Sequence, residues 1–307
     1  MLDISNIRIP VDQLDGTERT EELALRKAVL RKLHVTPDDL LSVEPRKRSI
    51  DARKKNDVHF TYSVRVILRG RANAERDLMA KLKRRHGDGS VRIAEPKPFS
   101  LPGHLGTERV GRPVVVGAGC AGLFCALALA EAGLEPLLIE RGQDATRRTA
   151  AIEHFNETGE LNPESNIQFG LGGAGTFSDG KLATGTKSRA HRYILETLVE
   201  AGAQREILWD AKPHVGSDVL PQVVTHILNQ IEELGGEVRL SCRMTEIEIA
   251  DTPSPHVTSV TLEQHDPQTG LVISQKVAAS NVVIACGHSA RDVFELLRER
   301  GVAMERK

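Results

Sequence analysis

Along the first 94 residues the spacing of apolar positions switches repeatedly between the period of a strand and that of a helix. Apolar and polar residues alternate over Ile4–Ile9, which predicts a strand. From Thr17 to Leu33 the spacing becomes helical, with Leu23, Leu25, Ala28, Val29 and Leu33 as a mostly apolar stripe. Leu41–Ile50 and Val58–Leu68 read as strands, the latter rich in β-branched and aromatic residues. A second helix is predicted over about Asn73–Arg85, ending before Gly87, and a short strand over Val91–Ala94. The order βαββαβ is that of a split βαβ, a ferredoxin-like α+β sandwich.

The pattern then breaks. Residues 95–113 hold four prolines and three glycines with little apolar period, so they read as a linker. Beyond them, strands and helices alternate in the manner of a parallel sheet, an α/β arrangement over 114–307. There is no internal repeat.

The stretch Val114–Ala130 is uncharged for seventeen residues, slightly short for a bilayer span. Gly117, Gly119 and Gly122 cluster inside it, and Arg112, Pro113 and Glu131 bound it. A strand Val114–Val116, a tight turn Gly117-Ala118-Gly119-Cys120-Ala121-Gly122 and a helix Ala121–Ala132 explain that composition better. In such a turn the first glycine permits the bend, the second leaves room for a pyrophosphate and the third lets the helix lie close to the sheet. The helix N-terminus offers unpaired N–H groups and the positive end of its dipole. A second strand, Leu134–Ile139, ends in Glu140, 23 positions after Gly117, where an acid can meet ribose hydroxyls. Its charge repels a 2′-phosphate, so the turn predicts FAD or NAD rather than NADP. This is a Rossmann-like dinucleotide unit, not a membrane span.

A second glycine cluster follows in Phe169–Leu182. Its exposed N–H groups are expected to wrap a pyrophosphate or flavin edge as an anion-binding nest, with Gly172, Gly173, Gly175, Thr176, Ser178, Asp179, Gly180 and Lys181 as candidate contacts. Phe169, Leu171, Phe177 and Leu182 are costly to leave in water, which argues for an ordered, buried loop.

The fingerprint Val114–Gly142, the loop Phe169–Leu182, the segment Val282–Asp292 and the stretch Arg48–Arg53 together resemble the bacterial FAD-dependent dehydrogenases known as NAD(FAD)-utilising dehydrogenases, within the glutathione-reductase-like flavoproteins. The likeness covers nearly the whole chain; Leu171 departs from it, where an acidic residue is expected. The resemblance implies FAD held by Gly117, Gly119, Gly122 and Glu140, with Arg141 beside the adenosine and the backbone of Met244 over the adenine. It also implies a small β-meander insertion. Strands near Glu237–Ser241, Thr245–Ile249, His256–Gln264 and Val272–Ala278 match it, before the sheet resumes at Asn281–Ala285. A second strand-to-helix turn at Ala285, Gly287 and His288 then reaches the cofactor, and Ser289 with Asp292 reads as the capping box of a helix over Ala290–Arg300.

Charge and cysteines alter this picture little. The net charge of −1 hides a split, +7 over residues 1–110 and −8 over the rest. The basic residues are mixed with acids and lack interleaved aromatics, so a solvated surface is favoured over nucleic-acid binding. Four irregularly spaced cysteines give neither a disulfide framework nor a metal motif, and with no secretory signal a cytoplasmic setting is expected. Cys120 and Cys125 lie in the phosphate-turn helix, which favours small buried packing residues over a redox pair. His288 and Lys181 are the polar residues expected to border the flavin, and no catalytic acid or base is assigned. A substrate domain and a late Gly-Asp motif are missing after Ile284, so the chain reads as part of a longer protein or as a shortened relative. The resulting expectation is an FAD-binding oxidoreductase acting on a small-molecule substrate, with NAD(P)H as candidate electron donor. A flavin-dependent RNA-modifying enzyme and a non-catalytic flavoprotein are the alternatives.

Overall fold

The computed structural model describes residues 1–70, 73–85, 89–96, 98–105, 111–177, 180–182, 187–266 and 268–305. They divide into two compact units. The first is Met1–Pro98 with Lys187–Arg192 and Arg205–Pro213; the second is Phe99–Thr186, Tyr193–Gln204 and His214–Lys307.

The first unit runs β1 (Leu2–Pro10), α1 (Glu18–Leu33), β2 (Leu40–Asp51), β3 (His59–Leu68), α2 (Ala74–Arg85) and β4 (Val91–Ile93). The strands form one antiparallel sheet in the order β2-β3-β1-β4. In β1 the buried set changes phase: Leu2 and Ile4 point inward, then Ile7 and Ile9. A bulge between Ile4 and Ile7, with Asn6 at φ 57°, supplies the extra residue that keeps both pairs in the core. Helix α1 starts because Thr17 accepts the Thr20 N–H on its side chain, and it stops at His34, which turns left-handed at φ 55°. It buries Leu25, Val29 and Leu33, spaced at i, i+4 and i+8. Leu23 does not share that face and is 61% exposed, because two residues rotate a helix by about 200°.

The chain returns twice to this unit, beyond the 1–94 span that the periodicity marks. Arg48 on β2 donates its N–H to the Trp209 carbonyl at 2.6 Å and accepts from Ala211 N–H at 2.9 Å. Its guanidinium grips Asp210 with two bonds of 2.6 and 3.0 Å and donates to Glu21 at 2.9 Å.

In the second unit β5 (Val114–Val116), β6 (Leu137–Ile139), β7 (Glu237–Arg239) and β11 (Val282–Ile284) make a parallel sheet in the order β11-β5-β6-β7. All six residues of β5 and β6 are buried, as a sheet covered on both faces requires. Between these strands in sequence lie α3 (Cys120–Glu131), α4 (Ala145–Thr158), α5 (Ala190–Glu200, of this unit from Tyr193 on) and α6 (Leu220–Glu233). A separate antiparallel meander, β8 (Cys242–Ala250), β9 (His256–His265) and β10 (Val272–Ala278), precedes β11, and α7 (Arg291–Glu299) follows it. Ser241, at φ 53°, is the corner between β7 and β8. Among the described residues no helix is long and apolar enough to cross a membrane. The uncharged run from Val114 is instead β5, a turn and α3.

Because the sheet is parallel, β5, β6 and β11 end along one edge. That edge, at Gly117, Glu140 and Ala285, is where α/β sheets place ligands.

Candidate cofactor cleft

The three glycines after β5 have different physical reasons. Gly117 lies at φ 101°, and a Cβ there would stand 2.6 Å from the Ala285 carbonyl oxygen, so the turn packs against the end of β11. At Gly122 a Cβ would overlap the carbonyl oxygen of Gly117. The protein itself demands both. Gly119 is otherwise: its φ is −71°, open to any residue, and a Cβ would meet only the Gly173 Cα at 3.9 Å. It faces open space in the cleft. Beyond it, the first N–H groups of α3 lack intrahelical acceptors.

Glu140 is 5% exposed, and its carboxylate ties three segments together. Oε2 accepts the Ala118 N–H at 2.8 Å, and Oε1 accepts those of Gly142 and Gly170, each at 2.9 Å. Phosphate turn, strand end and glycine loop are thereby braced by one side chain. The Gly172 N–H completes the join by donating to the Ala118 carbonyl at 2.8 Å. Glu140→Ala is therefore expected to cost about 2–5 kcal/mol of stability without any cofactor, since three buried N–H groups lose their acceptor. This reverses the order of effects expected of an acid that only meets a ribose. A melt of the cofactor-free variant measures it; a loss within about 0.5 kcal/mol would return Glu140 to a surface role.

The start of the glycine loop, residues 170–173, is not an anion nest. The N–H groups of Gly170, Leu171, Gly172 and Gly173 are all spent on protein acceptors. What shapes the loop is Arg148 of α4, fully buried at 0% exposure. Its guanidinium donates to the carbonyls of Asn166 (2.8 Å), Ile167 (3.1 Å) and Leu171 (2.8 Å) and lies 4.7 Å from the centre of the Phe177 ring. Burial pushes this guanidinium down to about 10, against the opposing pull of the Glu140 charge, so it stays protonated at neutral pH. The Leu171 side chain is buried at 1% exposure, which explains an apolar residue where an acid was expected.

The cleft beside this loop has a volume of about 360 Å³ and is lined by Gly117, Gly119, Cys120, Ala121, Glu140, Gly172, Gly173, Gly175, Ala285, Gly287 and His288, among others. A smaller recess, sharing Gly117, Glu140 and Phe169 with it, continues past Arg141 to Met244. Arg141 lies 4.7 Å from the centre of the Phe169 ring and is held by Glu164 at 3.0 Å and by Asp292 at 2.6 Å. That ion pair replaces the expected capping box. Asp292 faces Arg141, the α7 cap position falls on Ala290 without a side-chain bond, and Ser289 donates to Gln168.

Ala118 and Thr176 are fully buried behind the lining, Thr176 donating to the Leu171 carbonyl. Lys181 is exposed and pairs through its backbone with His214, the Gly180 carbonyl accepts the Val215 N–H, and neither residue is among those lining the cleft. Ser178 and Asp179 lie outside the described residues. Cys120 is exposed at the cleft rather than buried, because it is the first residue of α3, next to the turn; Cys125 is half-buried. The sequence reading missed Arg148, Glu164 and Gln168. Only Asn162-Pro163-Glu164-Ser165 signalled local order, as a turn in which the Asn162 side chain accepts two N–H groups.

Residues 113–211 match the family model described as FAD dependent oxidoreductase, and residues 1–67 match a domain of unknown function, DUF8436. The first match covers the turn, Glu140, Arg148 and the glycine loop, and it supports FAD as the cofactor. A Clostridium beijerinckii protein described as uncharacterized is 37% identical over 305 residues, 99% of this chain and 52% of its own length. The chain thus spans about half the length of the curated relative it matches. Among solved structures, Thermovibrio ammonificans THI4 overlays with a TM-score of 0.41 at 19% identity, covering 62% of this chain and 63% of that one. The polycyclic ketone monooxygenase of Thermothelomyces thermophila gives 0.35 at 14% identity, over 92% and 29%.

Proposed function

We propose that the chain is the FAD-binding part of a flavin oxidoreductase of the NAD(FAD)-utilising dehydrogenase type, acting in the cytoplasm on a small-molecule substrate with reduced NAD(P)H as electron donor. The observation that carries this reading is Gly119. The fold needs Gly117 and Gly122 for its own packing, whereas the room left at Gly119 serves only what enters the cleft. The α3 N-terminus supplies the donors for a pyrophosphate there. Oε2 of Glu140 accepts a single N–H bond, so it keeps an acceptor site for a ribose hydroxyl, and its charge disfavours a 2′-phosphate. Arg141, Phe169 and Met244 then border the adenosine. Bound flavin would supply the redox chemistry, and the protein's part is to hold it and exclude competing ligands. In the first unit, the strand order supports a ferredoxin-like sandwich.

The test is the absorbance spectrum of the purified chain, followed by anaerobic addition of NADH and then NADPH. A stoichiometric flavin spectrum released as FAD is expected, with bleaching by a nicotinamide. A chain that rejects FAD after reconstitution overturns the cofactor; FAD that no nicotinamide bleaches overturns the donor.

A further inference from the structure

The recess that runs from the cleft toward Met244 has the right surface for a purine but not the room. Its walls are largely apolar, with Val116, Ile139, Phe169, Met244, Ala290 and Val293. Its volume is about 40 Å³. That is little more than the share of one water molecule in the liquid, about 30 Å³, whereas adenine is a two-ring base.

Arg141 takes up the missing room. Its guanidinium lies 4.7 Å from the centre of the Phe169 ring, a flat cation on an aromatic face. A base stacks on an aromatic ring in the same manner. Two carboxylates hold the guanidinium there. Nε donates to Glu164 at 3.0 Å, while Nη1 and Nη2 donate to the two oxygens of Asp292 at 3.2 and 2.6 Å. Glu164 also accepts from Arg243 at 3.1 Å, so it is fixed from behind. A further link joins Ser289 Oγ to Gln168 Oε1 at 3.1 Å. Ser289 and Asp292 stand where β11 leads into α7, and Arg141 and Gln168 stand on the other wall of the recess. Both links therefore tie one wall to the other.

We propose that Arg141 is a latch over the adenosine end of the cleft, an internal competitor that adenine displaces from Phe169. The proposal rests on the FAD reading of the cleft and adds an order of events to it. Asp292 releases the guanidinium before the base enters. Its side chain is 52% exposed, so water replaces the bond at little cost, whereas Glu164 stays anchored by Arg243. While the latch is closed, the apparent affinity for FAD is reduced by the fraction of chains that are open.

Stopped-flow mixing of the cofactor-free chain with FAD, followed by flavin fluorescence, tests this. In the parent the observed rate is expected to level off at high FAD, limited by opening of the latch. Asp292→Asn is expected to raise that ceiling about threefold, within the range of a partly exposed ion pair, and to tighten FAD binding. Arg141→Ser removes the competitor, so its rate should rise linearly with FAD over the same range. Should that variant fail to fold, Asp292→Asn decides alone, because it keeps the shape of the side chain at an exposed position. Equal ceilings in the parent and Asp292→Asn, or weaker FAD binding by Asp292→Asn, would overturn the latch and leave FAD as the cofactor. A parent chain that takes up no FAD overturns the cofactor reading and the latch together.

Discussion

Gly119→Val is expected to lose FAD binding by on the order of a hundredfold or more while the chain stays folded. The backbone at φ −71° accepts any residue, and the first added carbon meets only the Gly173 Cα at 3.9 Å. The valine methyls therefore enter the cleft, where they occupy the space of the pyrophosphate and cover the α3 N–H groups. Overpacking a close contact costs about 1–3 kcal/mol, and losing donors to a charged group adds to that; about 2.7 kcal/mol is a hundredfold in affinity. Gly119→Ala should sit between the two. Gly122→Ala is the opposite case, because its Cβ would overlap the Gly117 carbonyl, and it should lower the melting temperature of the cofactor-free chain. Titration of the apo-proteins with FAD, beside their melts, separates these behaviours. Undiminished FAD affinity in a folded Gly119→Val chain would remove the turn from the cofactor site.

Arg148→Met is expected to destabilise the second unit by about 3–5 kcal/mol. The substitution keeps much of the apolar stem but strips three carbonyls of their donor, two of them buried, and each buried loss costs about 1–3 kcal/mol before relaxation. The glycine loop then has no template, because Gly170 packs directly on the arginine stem. Arg148→Lys keeps the charge without the planar fork that reaches three acceptors, so it should recover only part of the loss. Denaturant unfolding of the apo-chain gives the stability, and limited proteolysis within 166–177 reports the loop. A variant within about 0.5 kcal/mol of the parent would show that the loop holds its shape by other means.

Element order was legible in the residues because local rules agreed with the fold: the period-2 and period-3.6 runs, the Thr17 cap and the glycine turn all specify themselves within a few positions. The helix over Leu220–Glu233 was not singled out in the sequence, although its buried Leu220, Val223, Val224, Ile227, Leu228 and Ile231 trace one helical stripe. The phase change in β1 was not legible, since alternation alone cannot say where a bulge absorbs a residue.

The cleft divides along the same line. That Gly117, Gly119 and Gly122 form a turn ahead of an acid is a matter of spacing, which the sequence determined by itself. Which of them the packing requires and which leaves room was decided only in three dimensions, by what stands where each Cβ would go. Glu140 and Arg148 make the same point. A carboxylate reaching N–H groups 22, 2 and 30 residues away, and a guanidinium reaching carbonyls 18, 19 and 23 residues away, leave no local period behind. A buried charge finds its partners through tertiary packing, so sequence spacing carries no trace of them.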